Sequence, residues 1–160
     1  MTNTAGSDTA MEKQLENMVI RKIKVEDAED IGRIEAAITK SATNIDFRHI
    51  LEKQVRSDED ASFVAEANGR VVGYMISYLI YGGYGLEKIA WIATLGVDPK
   101  FMGMGVGKRL AEEILRVYKE KGTKHIFTAV RWDSVDLLSF FKTLGFDRSS
   151  FINLRKDLES

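Results

Sequence analysis

Three glycines stand at alternate positions in Met102-Gly103-Met104-Gly105-Val106-Gly107, and Lys108 and Arg109 follow at once. Alternating glycines let a backbone approach a ligand closely and turn its N–H groups inward. Val106, Leu110, Ile114, Val117 and Tyr118 then recur at helical spacing, so the glycines open a helix. The first N–H groups of a helix have no internal partner, and the helix dipole adds positive potential there. Together these features make a phosphate site, with Lys108 and Arg109 adding charge at its rim. The spacing disfavours a Walker nucleotide, because Gly107-Lys108 is followed by Arg109 instead of a magnesium-binding hydroxyl. The glycines run G-x-G-x-G, not G-x-G-x-x-G, and no acid ends the next strand, where Thr128–Val130 stand. Both observations count against a dinucleotide.

The elements that position this segment follow from periodicity. Met18–Lys24 alternates as a strand, and Glu26–Thr39 and Asn44–Arg56 carry apolar residues at helical spacing. Ala61–Glu66 and Val71–Tyr81 read as strands joined by an Asn68-Gly69 hairpin turn. Tyr81-Gly82-Gly83-Tyr84-Gly85 is expected to break the second of them as a loop that moves or hugs another chain. Lys88–Val97 is a further strand, then come the glycine segment and its helix, closed by Lys119, Lys121 and Gly122. Lys124–Val130 is a strand, and Asp133 or Ser134 caps a helix that ends at Gly145. Phe146–Leu158 reads as a final strand or strand pair. The order β-α-α-β-β-β-α-β-α-β predicts an α/β (α+β) fold. A polar, mixed-charge tail over residues 1–17 precedes a single domain over residues 18–160.

Composition excludes several functions. The chain has 160 residues and no cysteine, which removes disulfides, iron–sulfur clusters and a thiolate nucleophile. His49 and His125 lie far apart on different elements, so no metal site is expected. A net charge of −1 offers no field for nucleic acid. No apolar run is long enough for a membrane span, and the first residues lack a signal-peptide core, so the expected location is cytoplasmic.

Val97-Asp98-Pro99-Lys100-Phe101-Met102-Gly103-Met104-Gly105-Val106-Gly107-Lys108-Arg109-Leu110 resembles the acetyl-coenzyme A motif of the GNAT N-acetyltransferase superfamily. Leu144-Gly145-Phe146 resembles the family's second hallmark, and Asn68-Gly69-Arg70-Val71-Val72-Gly73 its hairpin before the third strand. The resemblance covers about Met18 to Leu158. It implies a mixed, mostly antiparallel central sheet flanked by helices, and acetyl transfer from acetyl-CoA to an amine. Leu95, Gly96 and Val97 match the strand that offers backbone groups to the pantetheine arm. Met102, Gly103, Met104, Gly105, Val106 and Gly107 match the loop that receives the pyrophosphate, with Lys108 beside it.

Three departures bear on the chemistry. Met102 stands where Arg or Gln is usual, Ser134 where Asn is frequent, and Phe141 where a proton-donating Tyr is frequent. Ser134 and Phe141 still match coenzyme-contacting positions. An acid other than Phe141 must protonate the leaving thiolate, or water must. A thiol ordinarily ionises near pH 8.5, roughly, so its thiolate is a tolerable leaving group. An N–H near Leu95 is placed to bond the thioester carbonyl as charge develops.

The ammonium of an amine substrate must lose a proton before attack. Glu87, just before the strand, is the nearest match to the family's base, although it misses the commonest aligned position, Ile89. Tyr81 and Tyr84 are expected to line the acceptor pocket, and Tyr78 and Trp91 to pack. Scattered rather than clustered acids favour a peptide or protein amine over a small one. The alternative from another class is a non-catalytic acyl-CoA-binding sensor or interaction module, which Met102 and Phe141 favour. A homodimer is expected from the resemblance.

Overall fold

The computed structural model describes residue 10 and residues 12–159. Most of the expected tail lies outside the described residues; within it, residues 12–16 are helical. The elements are β1 (Val19–Lys22), α1 (Ala28–Thr39), α2 (Phe47–Gln54), β2 (Phe63–Ala67), β3 (Arg70–Gly83), β4 (Leu86–Val97), α3 (Val106–Glu120), β5 (Ile126–Thr128) and α4 (Val135–Thr143). The sheet order is β1-β2-β3-β4-β5, and β1 through β4 pair antiparallel. This is the mixed, mostly antiparallel architecture that the resemblance implied. Among the described residues, no helix is long and apolar enough to cross a membrane, and no group of three or more His, Cys, Asp or Glu is placed to hold a metal ion. The chain forms two compact units, one ending at Phe127 and one beginning at Thr128.

In the first unit, side chains alternate across β3 and so assign the helices to opposite faces. Tyr74 and Ile76 enter the core with Ile31 and Ile34 of α1 and Phe47 and Leu51 of α2. Gly73 and Ser77 face α3: a Cβ on Gly73 would lie 2.8 Å from Val106, and Ser77 Oγ is 2.6 Å from the Tyr118 hydroxyl. Gly73 therefore lets the first turn of α3 press against the sheet.

Ser77 belongs to a buried polar cluster that ties the segment before β2 to α3. Its Oγ donates to the Ala61 carbonyl, while the Ala61 N–H donates to the Tyr118 hydroxyl at 3.0 Å. Ser62 Oγ donates to Gln54 Oε1 at 2.6 Å and accepts the Ser77 N–H at 3.0 Å. Tyr118→Phe leaves the Ala61 N–H without its acceptor inside the protein. It should lower unfolding stability by about 1–3 kcal/mol, measurable as a shift in the urea midpoint with an unchanged slope.

Two expectations need correction. The strand does not break at Tyr81: β3 runs through Gly83, which pairs with Leu86 across a two-residue turn. Tyr84 (φ 48°) and Gly85 (φ 82°) both take left-handed conformations, the geometry of a tight hairpin turn that matches strand twist. A Cβ on Gly82 would lie 2.8 Å from Leu86 Cβ and 2.9 Å from the Glu87 carbonyl, so glycine there permits a close strand approach instead of a flexible loop.

In the second unit, the final strand expected over Phe146–Leu158 is absent: residues 146–159 carry neither strand nor helix. A strand exists only through a hydrogen-bonded neighbour, and here local bonds compete. Ser149 Oγ both donates to the Phe151 carbonyl and accepts its N–H, and Arg155 pairs with Asp157. Ile152, Leu154 and Leu158 stand exposed. Before α4, Ser134 occupies the cap position without a side-chain cap bond, and the Asp133 carboxylate pairs with Arg131 instead of capping the helix. Arg131 accordingly holds the Asp133 carboxyl below its usual range.

Candidate active site

The glycine segment lies between β4 and α3, as its spacing predicts. A short 3-10 turn, Pro99–Phe101, leaves β4, and its N-cap Asp98 accepts the Lys100 N–H at 3.0 Å. Asp98 is buried, and its second oxygen receives Arg33 Nη1 from α1 at 3.1 Å. Arg33 also donates to the Val71 carbonyl at 2.9 Å. The exit from β4 is therefore fixed by a charge pair that the sequence motif gave no sign of.

Gly103 (φ 76°) and Gly105 (φ 83°) take the left-handed conformation that disfavours other residues, and a Cβ at either would meet nothing within 4 Å. The loop is thus open on the side where side chains would stand. Gly105 caps α3, whose first turn contains no acid to offset its N–H groups. Val106 contributes backbone only, because its side chain is buried against the sheet. Met102 is exposed. Lys108 is exposed beside the loop, 3.9 Å from Glu112, whereas Arg109 turns away to donate to the Met18 carbonyl at 3.2 Å. Arg109 is therefore held by the residue before β1, where the sequence pattern had placed it at the rim.

Leu95, Gly96 and Val97, the last residues of β4, form the strand side of this cradle. The pairs Ile76↔Thr94 and Ser77↔Ile92 leave Ala93 as an extra residue, a bulge in β4. Beyond it, the Asp98 N–H bonds to the Val72 carbonyl, so alternate residues Gly96 and Thr94 face β3 with their backbone groups. The N–H and C=O groups of Leu95 and Val97 therefore point away from β3. On that side β5 has only three residues, and the residue before it, His125, is bonded at Ala90. Three residues from that point do not reach Leu95. An extended ligand arm can pair with the edge of β4 there and end at the α3 N-terminus.

Gly96 lies over a buried ring. A Cβ there would fall 2.7 Å from Tyr74 Cε1 and 3.0 Å from its hydroxyl. That hydroxyl donates to Glu35 Oε2 of α1 at 2.9 Å and also bonds the Thr94 side chain. Burial first, and then Glu35, push the Tyr74 hydroxyl well above its usual range, so it stays protonated. Sequence reading missed this group; the only signal was an acid within an apolar-periodic helix, which carries no address.

The other candidates fall elsewhere. Glu87 is exposed at the far end of β4, roughly 20–25 Å from Leu95 at strand rise. Tyr81 pairs with Lys88 at that same end, and Tyr81 and Tyr84 are 84% and 94% exposed on the hairpin tip. The structure does not bring these three residues to the glycine loop. Ser134 and Phe141 belong to the second unit, where Phe141 is buried between the rings of Phe140 and Phe146 at 5.2 and 5.1 Å. A separate concavity of about 320 Å³ opens between Lys22, Gln54, Asp60, Ser62 and Lys121. It borders the C-terminal end of α3, a helix length from the glycines.

Comparison with known proteins agrees with this geometry. Over 100 residues the chain is 32% identical to a mycothiol acetyltransferase of Amycolatopsis mediterranei, covering 61% of this chain and 33% of that protein. A mycothiol acetyltransferase of Saccharomonospora viridis is 30% identical over 111 residues, covering 66% of this chain and 36% of that protein. The chain thus matches about a third of the length of these curated relatives. Among solved structures, an aminoglycoside N-acetyltransferase in complex with CoA superposes with a TM-score of 0.75 at 19% identity, covering 89% of this chain and 95% of that one. An aminoglycoside acetyltransferase from an uncultured soil metagenomic sample, in complex with sisomicin, gives 0.74 at 22% identity, covering 89% and 97%. At such identities the superpositions speak to the fold alone. Residues 28–146, most of the chain and all of the glycine cradle, match the acetyltransferase (GNAT) family, and the chain belongs to it.

Proposed function

We propose that this protein transfers an acetyl group from acetyl-CoA to a primary amine by direct attack. The observation that carries the reading is the continuous cradle formed by the outward backbone groups of Leu95 and Val97 and the open Gly103–Gly107 turn at the α3 N-terminus. The edge of β4 suits the amides of the pantetheine arm, and the turn suits the pyrophosphate. Lys108 adds the charge that Met102 does not supply. The Leu95 N–H is oriented to bond the thioester carbonyl as it gains negative charge.

The second unit adds no acid to this chemistry through Phe141. We assign protonation of the departing thiolate to water or to the nitrogen's own second proton. The scattered acids still favour an amine carried on a peptide or protein. The names of the relatives favour a small amine, and those names describe those proteins. Exposed Ile152, Leu154 and Leu158 support the expectation of a homodimer, since a second copy would cover apolar surface that this chain leaves to water.

Calorimetric titration with acetyl-CoA, CoA, ATP and NAD tests the cofactor. Binding of the two coenzyme forms, with neither nucleotide, is the expected result. Thiol release is then followed with an aminoglycoside, a cysteine-derived amine and a short peptide. Coenzyme binding without thiol release from any amine would favour the acyl-CoA-binding module instead. No coenzyme binding would overturn the reading altogether.

A further inference from the structure

The coenzyme cradle and helix α1 lie on opposite sides of the sheet. Gly73 faces Val106 and Leu110 of α3, whereas Tyr74, one residue on, packs with Ile31 and Ile34 of α1. A ligand running from Leu95 to the α3 N-terminus occupies the α3 side of the strand edge. An acceptor must then reach the same carbonyl from the α1 side.

On the α1 side, next to Leu95, β4 presents Thr94 and Gly96, and neither is a base. Gly96 has no side chain, so the Tyr74 hydroxyl lies within 3.0 Å of where its Cβ would be. Glu35 lies one hydrogen bond further, at 2.9 Å. Its carboxylate is thus two non-bonded contacts, 3.0 and 2.9 Å, from where a Cβ on Gly96 would stand, with the Tyr74 hydroxyl between them. Tyr74 holds one oxygen, Oε2, and no bond to Oε1 occurs among the described residues. Glu35 is only half-buried, so the free oxygen remains accessible. No cation pairs with it among the described residues. The nearest one on the same helix, Arg33, is engaged by Asp30, Asp98 and the Val71 carbonyl.

We propose that Glu35 receives the ammonium group of the acceptor and takes its first proton, with Tyr74 as the positioning residue that aims the carboxylate. The inference rests on the acetyl-CoA reading above. The N–H bond to the transferred proton breaks and the Glu35 O–H bond forms. The freed nitrogen lone pair attacks the thioester carbonyl, the C–N bond forms and the C–S bond breaks. The sulfur leaves with the electron pair and takes the second nitrogen proton. The amide and free CoA depart, and Glu35 returns its proton to water. Glu87, at the far end of β4, has no part in this step.

The test needs no knowledge of the acceptor. S-(2-aminoethyl)-CoA carries an ammonium close to where the attacking nitrogen would stand, and S-propyl-CoA is its uncharged counterpart. Wild-type protein should bind the aminoethyl compound about tenfold or more tightly than the propyl compound, the gain expected of one charged hydrogen bond. Glu35→Gln should erase that preference while leaving S-propyl-CoA affinity unchanged, and Glu35→Asp should keep part of it. An undiminished preference in Glu35→Gln, or none in the wild type, overturns the role of Glu35 alone. Failure of the wild type to bind either compound overturns the coenzyme reading beneath it.

Discussion

Gly105→Glu should abolish acetyl-CoA binding, with a loss of affinity of roughly a hundredfold or more. Gly105 caps α3 at the open turn, and a Cβ there meets nothing within 4 Å. A carboxylate therefore finds room where the pyrophosphate is proposed to lie. Like charges forced together cost several kcal/mol, and every 1.4 kcal/mol is about tenfold in affinity. The fold bears a second, smaller cost. Gly105 sits at φ 83°, where an L-residue is strained by roughly 1–2 kcal/mol. Gly105→Asn separates the two effects, because Asn tolerates this conformation and carries no charge. Calorimetry should show Gly105→Asn retaining most of its affinity and Gly105→Glu none. Equal affinity in wild type and Gly105→Glu would remove the phosphate site from this turn.

Gly96→Ala should be strongly damaging although it adds a single methyl group. The added Cβ would fall 2.7 Å from Tyr74 Cε1, and Tyr74 is fully buried, wedged against Phe47 in an edge-to-face contact at 6.0 Å. The ring has no vacant space to enter, so the strand or the ring must shift. Overpacking of this kind costs roughly 1–3 kcal/mol. Displacing the ring also moves the hydroxyl that holds Glu35, and moving the strand shifts the Leu95 N–H. Thermal unfolding should fall by several degrees, about 2–4 °C per kcal/mol at this size. Acetyl transfer should fall more steeply than stability explains. Smaller residues at Tyr74 supply the control: Tyr74→Phe in the Gly96→Ala background removes the clash with the hydroxyl but not that with the ring, and should recover little stability.

Most of the fold was legible because each element carries its own period. The apolar stripe of α3, the alternation of β1 and the apolar run of β3 are local patterns, and Asn68-Gly69 is a local turn signal. Errors arose where local pattern and pairing part company. Tyr81-Gly82-Gly83 looks like a break in sequence, yet Gly82 serves strand approach, which depends on Leu86 and Glu87 across the hairpin. Residues 146–158 read as a final strand in sequence, but a strand needs a partner, and local bonds at Ser149 and Arg155 take its place.

The site divides along the same line. The glycine cradle was readable because it is contiguous: one run of residues supplies the turn, the helix start and the free N–H groups. By itself the sequence determined the family, the glycine segment that opens α3 and the stretch of strand beside it. The tertiary structure alone decided what surrounds them. Arg33 reaches Asp98 over 65 positions, and Tyr74 reaches Glu35 over 39. It also placed Glu87, Tyr81 and Tyr84 at the opposite end of the strand, although they are near the cradle in sequence. A β-strand extends about 3.3 Å per residue and carries its neighbours away, while a helix packed across the sheet brings distant residues within a hydrogen bond. Proximity along the chain is therefore a poor guide to what meets in space, and only packing brings the carboxylate of α1 to Tyr74 of β3.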